Sequence, residues 1–320
     1  MKIFIAGASG TIGRTLIPQL INAGHEVTAL SRTQQKLNRL QKMGATPVLG
    51  DVFDLPHLNQ LMADAAPDVV MHQLTSLGAK AQDPFMETNR LRIEGTANLI
   101  HAAQNTQAQR FIAQSVAFLC QSSNSELDSE LDGELDGELT DEDTPIHLEA
   151  PPPLTAIAEA VVSLEQQVLS LTGMTGIVLR YGHFYGPGTY YDKNGAIATA
   201  VRQGHYPIVD QGRGTASFIQ IDDAATATVQ AVTQGSSGIY TIVDDEPILL
   251  RKWVSDYCSL LQAPTPPVLS KAIAHTTLNP FSLYLATQQQ GAVNQKARQI
   301  LGWHPRYSNW YDGFQAMLAS

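Results

Sequence analysis

A glycine pattern near the start constrains this chain most. Residues 2–6 form a short apolar run with the character of a strand. Gly7-Ala8-Ser9-Gly10-Thr11-Ile12-Gly13 follows at once and opens a helical pattern over residues 11–23. Glycines at this spacing let the backbone turn tightly and bring N–H groups against a pyrophosphate, while the helix N-terminus adds partial positive charge. The spacing is GxxGxxG rather than GxGxxG, so the strand–turn–helix context gives the match its weight. It predicts a dinucleotide-binding βαβ start.

The rest of the first half repeats that rhythm. Strand-like runs at 26–30, 46–49, 68–72 and 110–114 alternate with helix candidates at 34–43, 55–65 and 85–104. Strands separated by helices of this length predict an α/β fold with a doubly wound parallel sheet covered on both faces. A helix over 154–171 and a strand over 176–180 follow, and residues 238–243 are expected to return to the sheet. This divides the chain into a dinucleotide-binding domain over 1–180, its sheet completed by 216–247, and a smaller substrate lobe from 181–215 and 248–320.

Composition narrows the function. Thirty acids against twenty bases give a formal charge of −10, which argues against a nucleic-acid footprint. Ten of the acids fall in residues 125–143, a SELD-type repeat without a basic residue, so the remainder is formally neutral. The repeat, inside an insertion over 122–150, reads as a solvated segment, with a lid or docking segment as the alternative. Cys120 and Cys258 are too few for a disulfide framework, no apolar stretch approaches the length of a membrane helix, and no signal-peptide core is visible. A cytoplasmic protein is expected. The nine histidines are scattered, and no metal site is predicted.

The second strand ends Leu30-Ser31-Arg32 without the acidic residue that accepts ribose hydroxyls in an NAD site. Ser31 and Arg32 suit a 2′-phosphate instead, favouring NADP(H) over NAD(H). A solvated surface arginine is the plainer alternative.

With these residues in hand, the chain resembles the extended or atypical short-chain dehydrogenase/reductase superfamily, in its NAD-dependent epimerase/dehydratase group. Gly50-Asp51-Val52 resembles the turn after strand three, and Val69 to Thr75 resembles the strand-four segment beneath the cofactor. Thr88-Asn89 through Leu99 resembles the central helix, Leu179 to Gly188 the RPxxxYGPG turn at the nicotinamide, and Lys296 to Pro305 the closing signature. The resemblance implies cofactor contacts from Gly7, Ser9, Gly10, Thr11, Ile12, Gly13, Ser31, Arg32, Asp51, Val52, Gln73, Leu74, Thr75, Ser115, Tyr181, Gly182 and Phe184. It further implies a homodimer formed by the helices at 85–104 and 154–171, whose apolar positions include Leu91, Ile93, Leu99, Val161, Leu164 and Val168; packing on the sheet is the alternative.

The resemblance fails at the chemistry. In the superfamily a YxxxK tyrosine moves the proton, its pKa lowered by the lysine. None of the ten tyrosines here has Lys four positions on. Matching Glu165 to the acid that follows that lysine puts Ile157 and Val161 at the Tyr and Lys places, and Val116 at the Ser/Thr place beside Ser115. Substitute catalytic candidates are His183, Tyr190 and Thr75, with Ser76, Tyr191, Lys193 and Lys80 behind them; each also reads as a packing, capping or surface residue. The expectation is an NADP(H)-dependent oxidoreductase acting on a small organic substrate and lacking YxxxK. One route is hydride transfer to an activated C=C, imine or quinone-like acceptor; alternatively water or His183 protonates a carbonyl. A sugar-nucleotide epimerase/dehydratase with retained cofactor and a non-catalytic NmrA-like NADP(H) sensor are the other readings.

Overall fold

Residues 1–77, 83–122, 138–150 and 152–319 are described by a computed structural model. Alternation along the first strand, β1 (Lys2–Ala6), explains the architecture: Ile3 and Ile5 pack into one apolar layer, Phe4 and Ala6 into another. A strand apolar on both faces must be covered on both, and its neighbours follow suit. β2 (Glu26–Ser31), β3 (Thr46–Leu49), β4 (Val69–His72), β5 (Arg110–Val116), β6 (Thr175–Tyr181) and an edge strand at Gly238–Ile242 complete a seven-stranded sheet. Its order is edge strand–β6–β5–β4–β1–β2–β3, parallel throughout.

Helices α1 (Thr11–Asn22), α2 (Gln34–Lys42), α3 (Leu55–Ala65), α4 (Pro84–Arg90), α5 (Thr96–Gln104) and α6 (Leu154–Leu169) alternate with these strands. The single helix expected over 85–104 is instead α4 and α5 joined by a π turn, Leu91–Gly95, within which the Thr96 hydroxyl bonds the Arg92 carbonyl. Of the apolar positions offered for a dimer face, Leu91, Leu99, Leu164 and Val168 belong to the core layer beneath the sheet, and Val161 to a neighbouring cluster. Ile93 alone among them is exposed. Sheet packing takes the rest because the layer against a parallel sheet must be dry.

After β6 the chain builds a lobe of two-stranded pairs: His183–Tyr185 with Phe218–Gln220, Thr215–Ala216 with Ile248–Leu249, and Ile208–Val209 with Val268–Leu269. An aromatic core of Tyr185, Phe218, Trp253, Tyr257 and Phe314 holds it, with edge-to-face contacts such as Phe218 on Phe314 at 5.4 Å.

The acidic repeat needs a correction where it is described. Residues 138–143 are not simply a solvated face. Thr140 N donates to the Gly291 carbonyl at 2.8 Å, and the Thr241 N–H on the edge strand donates to Glu142 Oε1 at 2.7 Å. Arg180 Nη1 reaches the carbonyls of Asp141, Glu142 and Thr144. The segment covers hydrogen-bonding groups that an edge strand would otherwise leave open. The earlier repeats lie outside the described residues.

Candidate active site

The site begins where the strand order reverses, between β1 and β4, the point at which open α/β sheets bind ligands. Gly7 sits there at φ +96°, and a Cβ on it would strike the Gln73 carbonyl as the chain leaves β4. Gly10 N donates to Gly7 O at 2.9 Å, closing the turn, and a Cβ on Gly13 would collide with the carbonyls of Gly7 and Ala8. α1 starts with Gly10 as its cap, without a side-chain cap or an acidic residue in its first turn. Backbone donors and helix polarity are thereby left to an anion. Ile12 turns into the core, so only its main chain serves a ligand, while Ser9 and Thr11 stay partly exposed.

Around this turn, Asp51 Oδ1 accepts from Phe53 N at 3.0 Å, and the carbonyl of buried Val52 accepts from Asn98 Nδ2 at 2.9 Å. Ser31 is buried at the end of β2. Arg32 is exposed and paired with Glu87 Oε1 at 2.8 Å, which holds the Glu87 carboxyl below its ordinary range. Two further guanidiniums stand nearby. Arg14, immediately after the third glycine, has its pKa lowered by burial and then by Arg39. Its Nε bonds only the Gly10 carbonyl, at 3.2 Å. Neither arginine has a carboxylate partner among the described residues. Like charges held together without a counterion favour an anion between them. Sequence reasoning missed this pair, although Arg14's place after the motif was a legible signal.

At the exit of β4, His72 uses both ring nitrogens: Nδ1 accepts from Leu74 N at 3.2 Å, leaving Nε2 to donate to Leu91 O at 3.3 Å. Burial holds its pKa down to about 4. This neutral tautomer fixes the path of Gln73 and Leu74; Gln73 is buried, Leu74 half-buried and Thr75 exposed. Ser76 N bonds Thr88 Oγ1 at 3.0 Å. Lys80 lies outside the described residues. On β5, Ser115 Oγ donates to Glu165 Oε1 at 2.7 Å, and Arg180 holds both oxygens of Glu165, at 2.9 and 2.8 Å. Tyr181 turns into the core with its hydroxyl 2.7 Å from Thr228 Oγ1, so a ligand meets only its backbone. Gly182 N donates to the Ile242 carbonyl at 3.1 Å, and Phe184 packs on Tyr181 at 5.1 Å.

The residues matched above to the Tyr, Lys and Ser/Thr places are all apolar. Ile157, Val161 and Val116 share one buried cluster with Leu119, Leu154 and Tyr284. The Tyr284 hydroxyl donates to the Phe118 carbonyl at 3.2 Å, and burial raises its pKa, so it is not poised as an acid. His183 lies parallel to Phe118 at 4.9 Å, with Nε2 2.9 Å from Gln289 Oε1. That contact makes Nε2 the proton-bearing nitrogen and leaves Nδ1 as an acceptor. Burial lowers its pKa despite the Gln289 bond. Tyr190 is 53% exposed and its hydroxyl donates to the Leu77 carbonyl at 2.8 Å. Thr11 Oγ1 reaches the Gly188 carbonyl on the same loop at 3.4 Å. The loop therefore bridges both lips of the cleft. Among the described residues no hydrogen bond joins His183 to Tyr190 or Thr75, and no group of three His, Cys, Asp or Glu could hold a metal. Gln289 and Tyr284 escaped sequence reasoning because nothing local marks them.

The glycine cradle, the uncapped helix start and the unpaired arginines fit a nicotinamide dinucleotide. Comparisons with known proteins agree. The NAD dependent epimerase/dehydratase family matches residues 3–242. A "3-diazoavenalumate denitrifying reductase" from Streptomyces sp is 38% identical over 98% of this chain and 99% of its own length. A "2-alkyl-3-oxoalkanoate reductase" from Stenotrophomonas maltophilia is 28% identical, over 87% of this chain and 80% of the relative. Among solved structures, UDP-glucose 4-epimerase from Thermotoga maritima superposes with a TM-score of 0.75 at 18% identity, covering 100% of this chain and 98% of that one. A human epimerase family protein solved with NADPH gives 0.75 at 17%, with both chains covered completely. These last two likenesses concern the fold. The chain belongs to the NAD-dependent epimerase/dehydratase family of extended short-chain dehydrogenases/reductases.

Proposed function

We propose that this family oxidoreductase is an NADPH-preferring reductase whose acceptor needs a hydride but no proton from the enzyme, and that an arenediazonium-type substrate is the class it suits. The observation that carries this reading is the apolar cluster of Ile157, Val161 and Val116 at the places where a proton-transfer set would stand. Nicotinamide supplies a hydride when bound. A carbonyl that gains a hydride becomes an alkoxide and must be protonated. An arenediazonium that gains one becomes a neutral aryldiazene. Its C–N bond then breaks, dinitrogen leaves, and the hydrogen it carried balances the new C–H bond. No external acid is consumed. The 38% relative is named for a diazo substrate and for denitrification, which supports this class over ketones.

The protein's part is to bind and to exclude water. Phe118 and the parallel His183 ring offer a flat aromatic wall. His183, neutral and with Nδ1 free to accept, suits a substrate hydroxyl or acid proton rather than acting as the proton donor. Arg14, Arg39 and Arg32 support preference for the 2′-phosphate. A homodimer through the exposed Ile93 and Leu169 is part of the same reading.

The test is turnover of NADPH with a hydroxybenzenediazonium acid against matched aryl ketones, using NADPH deuterated at the transferring position. One dinitrogen and one arene per labelled NADPH oxidised are expected, with ketone reduction at least about a hundredfold slower. Ketone reduction as fast as denitrification would overturn the proposal.

A further inference from the structure

The exit of the Gly238–Ile242 strand opens onto a cavity of about 480 Å³ that none of the cofactor candidates lines. Its walls come from Asp244, Asp245 and Pro247, from residues 292–299, and from Leu139 and His304.

Asp245, Asn294, Arg298 and His304 of the wall are joined by hydrogen bonds. Asp245 Oδ1 accepts from Asn294 Nδ2 at 2.8 Å and from Arg298 Nη1 at 3.1 Å. Arg298 Nε donates to His304 Nδ1 at 3.2 Å, and Asn294 Nδ2 also reaches the Val243 carbonyl at 2.8 Å. Asp244 is 1% exposed, its Oδ1 accepts from Glu246 N at 3.3 Å, and its Oδ2 has no partner among the described residues. A buried carboxyl oxygen without a donor is unfavourable, and Asp244 lines the cavity, which gives a donor one route to it. Burial, followed by the nearby carboxylates of Asp245, Glu246 and Asp223, pushes the Asp244 carboxyl well above its ordinary range. Such surroundings reward an incoming positive charge. Arg298 cannot supply it, because its charge is spent on Asp245. Leu139, Pro247 and Val293 give the remaining wall an apolar character.

We propose that this cavity binds a small organic cation, a primary ammonium or guanidinium on a short apolar stem, whose N–H groups donate to Asp244 Oδ2. The occupant sits against a segment that also serves the active site. Ala292 N donates to Ser217 Oγ at 2.8 Å, Ser217 O accepts from His183 N at 2.9 Å, and Gln289 at the head of the same segment holds the His183 ring. The cavity and the surroundings of His183 thus share the segment 289–292, and the proposal does not depend on which substrate is reduced.

Ligand-observed NMR with the full chain tests this, using n-butylammonium and n-butylguanidinium as probes and 1-butanol and butyrate as neutral and anionic controls. Both cations are expected to bind at least about tenfold more tightly than either control. Asp244→Asn should cost the cations about tenfold or more, and Gln299→Trp, which fills the mouth from an exposed position, should remove their binding with an unchanged circular dichroism spectrum. If Asp244→Asn fails to fold, Gln299→Trp decides. Binding that butanol matches, cation binding unaffected by the variants that fold, or no cation binding by the folded parent would each overturn the proposal.

Discussion

The two sides of the cleft are built from opposite materials. On the β1–α1 side the working surface is main chain, with Gly7, Gly10 and Gly13 denying space to side chains and α1 starting uncapped. On the β5–α6 side the surface is aliphatic and aromatic, with Ile157, Val161 and Val116 in one buried cluster. The difference teaches that cofactor capture and proton transfer are separable. A Rossmann edge can keep the first, which depends on backbone geometry, while the second is replaced by packing.

The strongest way to break that contrast is to put the lysine back. Val161→Lys places an ammonium in a cluster where Val161 is buried among apolar neighbours. Without a partner it should cost about 3–5 kcal/mol, seen as a lower midpoint in urea unfolding. An Ile157→Tyr/Val161→Lys double variant that kept the parent's stability and gained ketone reduction would show that the cluster is a disguised proton-transfer site.

The strand between the two sides gives the next largest effect. His72 is neutral in the fold, its pKa depressed from 6.5 to about 4 by burial. The unfolded chain therefore binds the proton first as the medium acidifies. Stability tied to this residue is complete above about pH 6.5 and is lost as pH falls towards 4, to the extent of roughly 3 kcal/mol. Replacing His72 with Gln should flatten that part of a stability–pH curve measured by chemical denaturation; an unchanged slope would assign the acid sensitivity elsewhere.

The smallest effect sharpens the cofactor side. Arg14→Ala should weaken NADPH binding about tenfold, the scale of one charge-assisted contact, and NADH binding by about twofold or less. Arg32→Ala should be milder, because Arg32 already spends its charge on Glu87 at 2.8 Å. Equal losses for both cofactors by fluorescence titration would remove the 2′-phosphate assignment.

Legibility follows range. The glycine turn and the strand–helix alternation were readable because each is a property of neighbouring residues. The π turn between α4 and α5 was not, since periodicity draws that helix as continuous. Nor was the partner of His183, which lies 106 residues away. Arg180 was legible as part of a turn signature, but its grip on Glu165 and on carbonyls at 141–144 was not.

By itself, then, the sequence determined the fold class and the family, because binary pattern and glycine spacing act through local geometry. Only the tertiary structure decided what the other residues do. It neutralised Arg32 with Glu87, drew Arg14 and Arg39 together, set the His183 tautomer through Gln289 and left Asp244 Oδ2 without a donor among the described residues, beside a cavity. The physical reason is that charge, tautomer and hydrogen-bond satisfaction depend on which distant groups share a low-dielectric space, and only the closed chain brings those groups together.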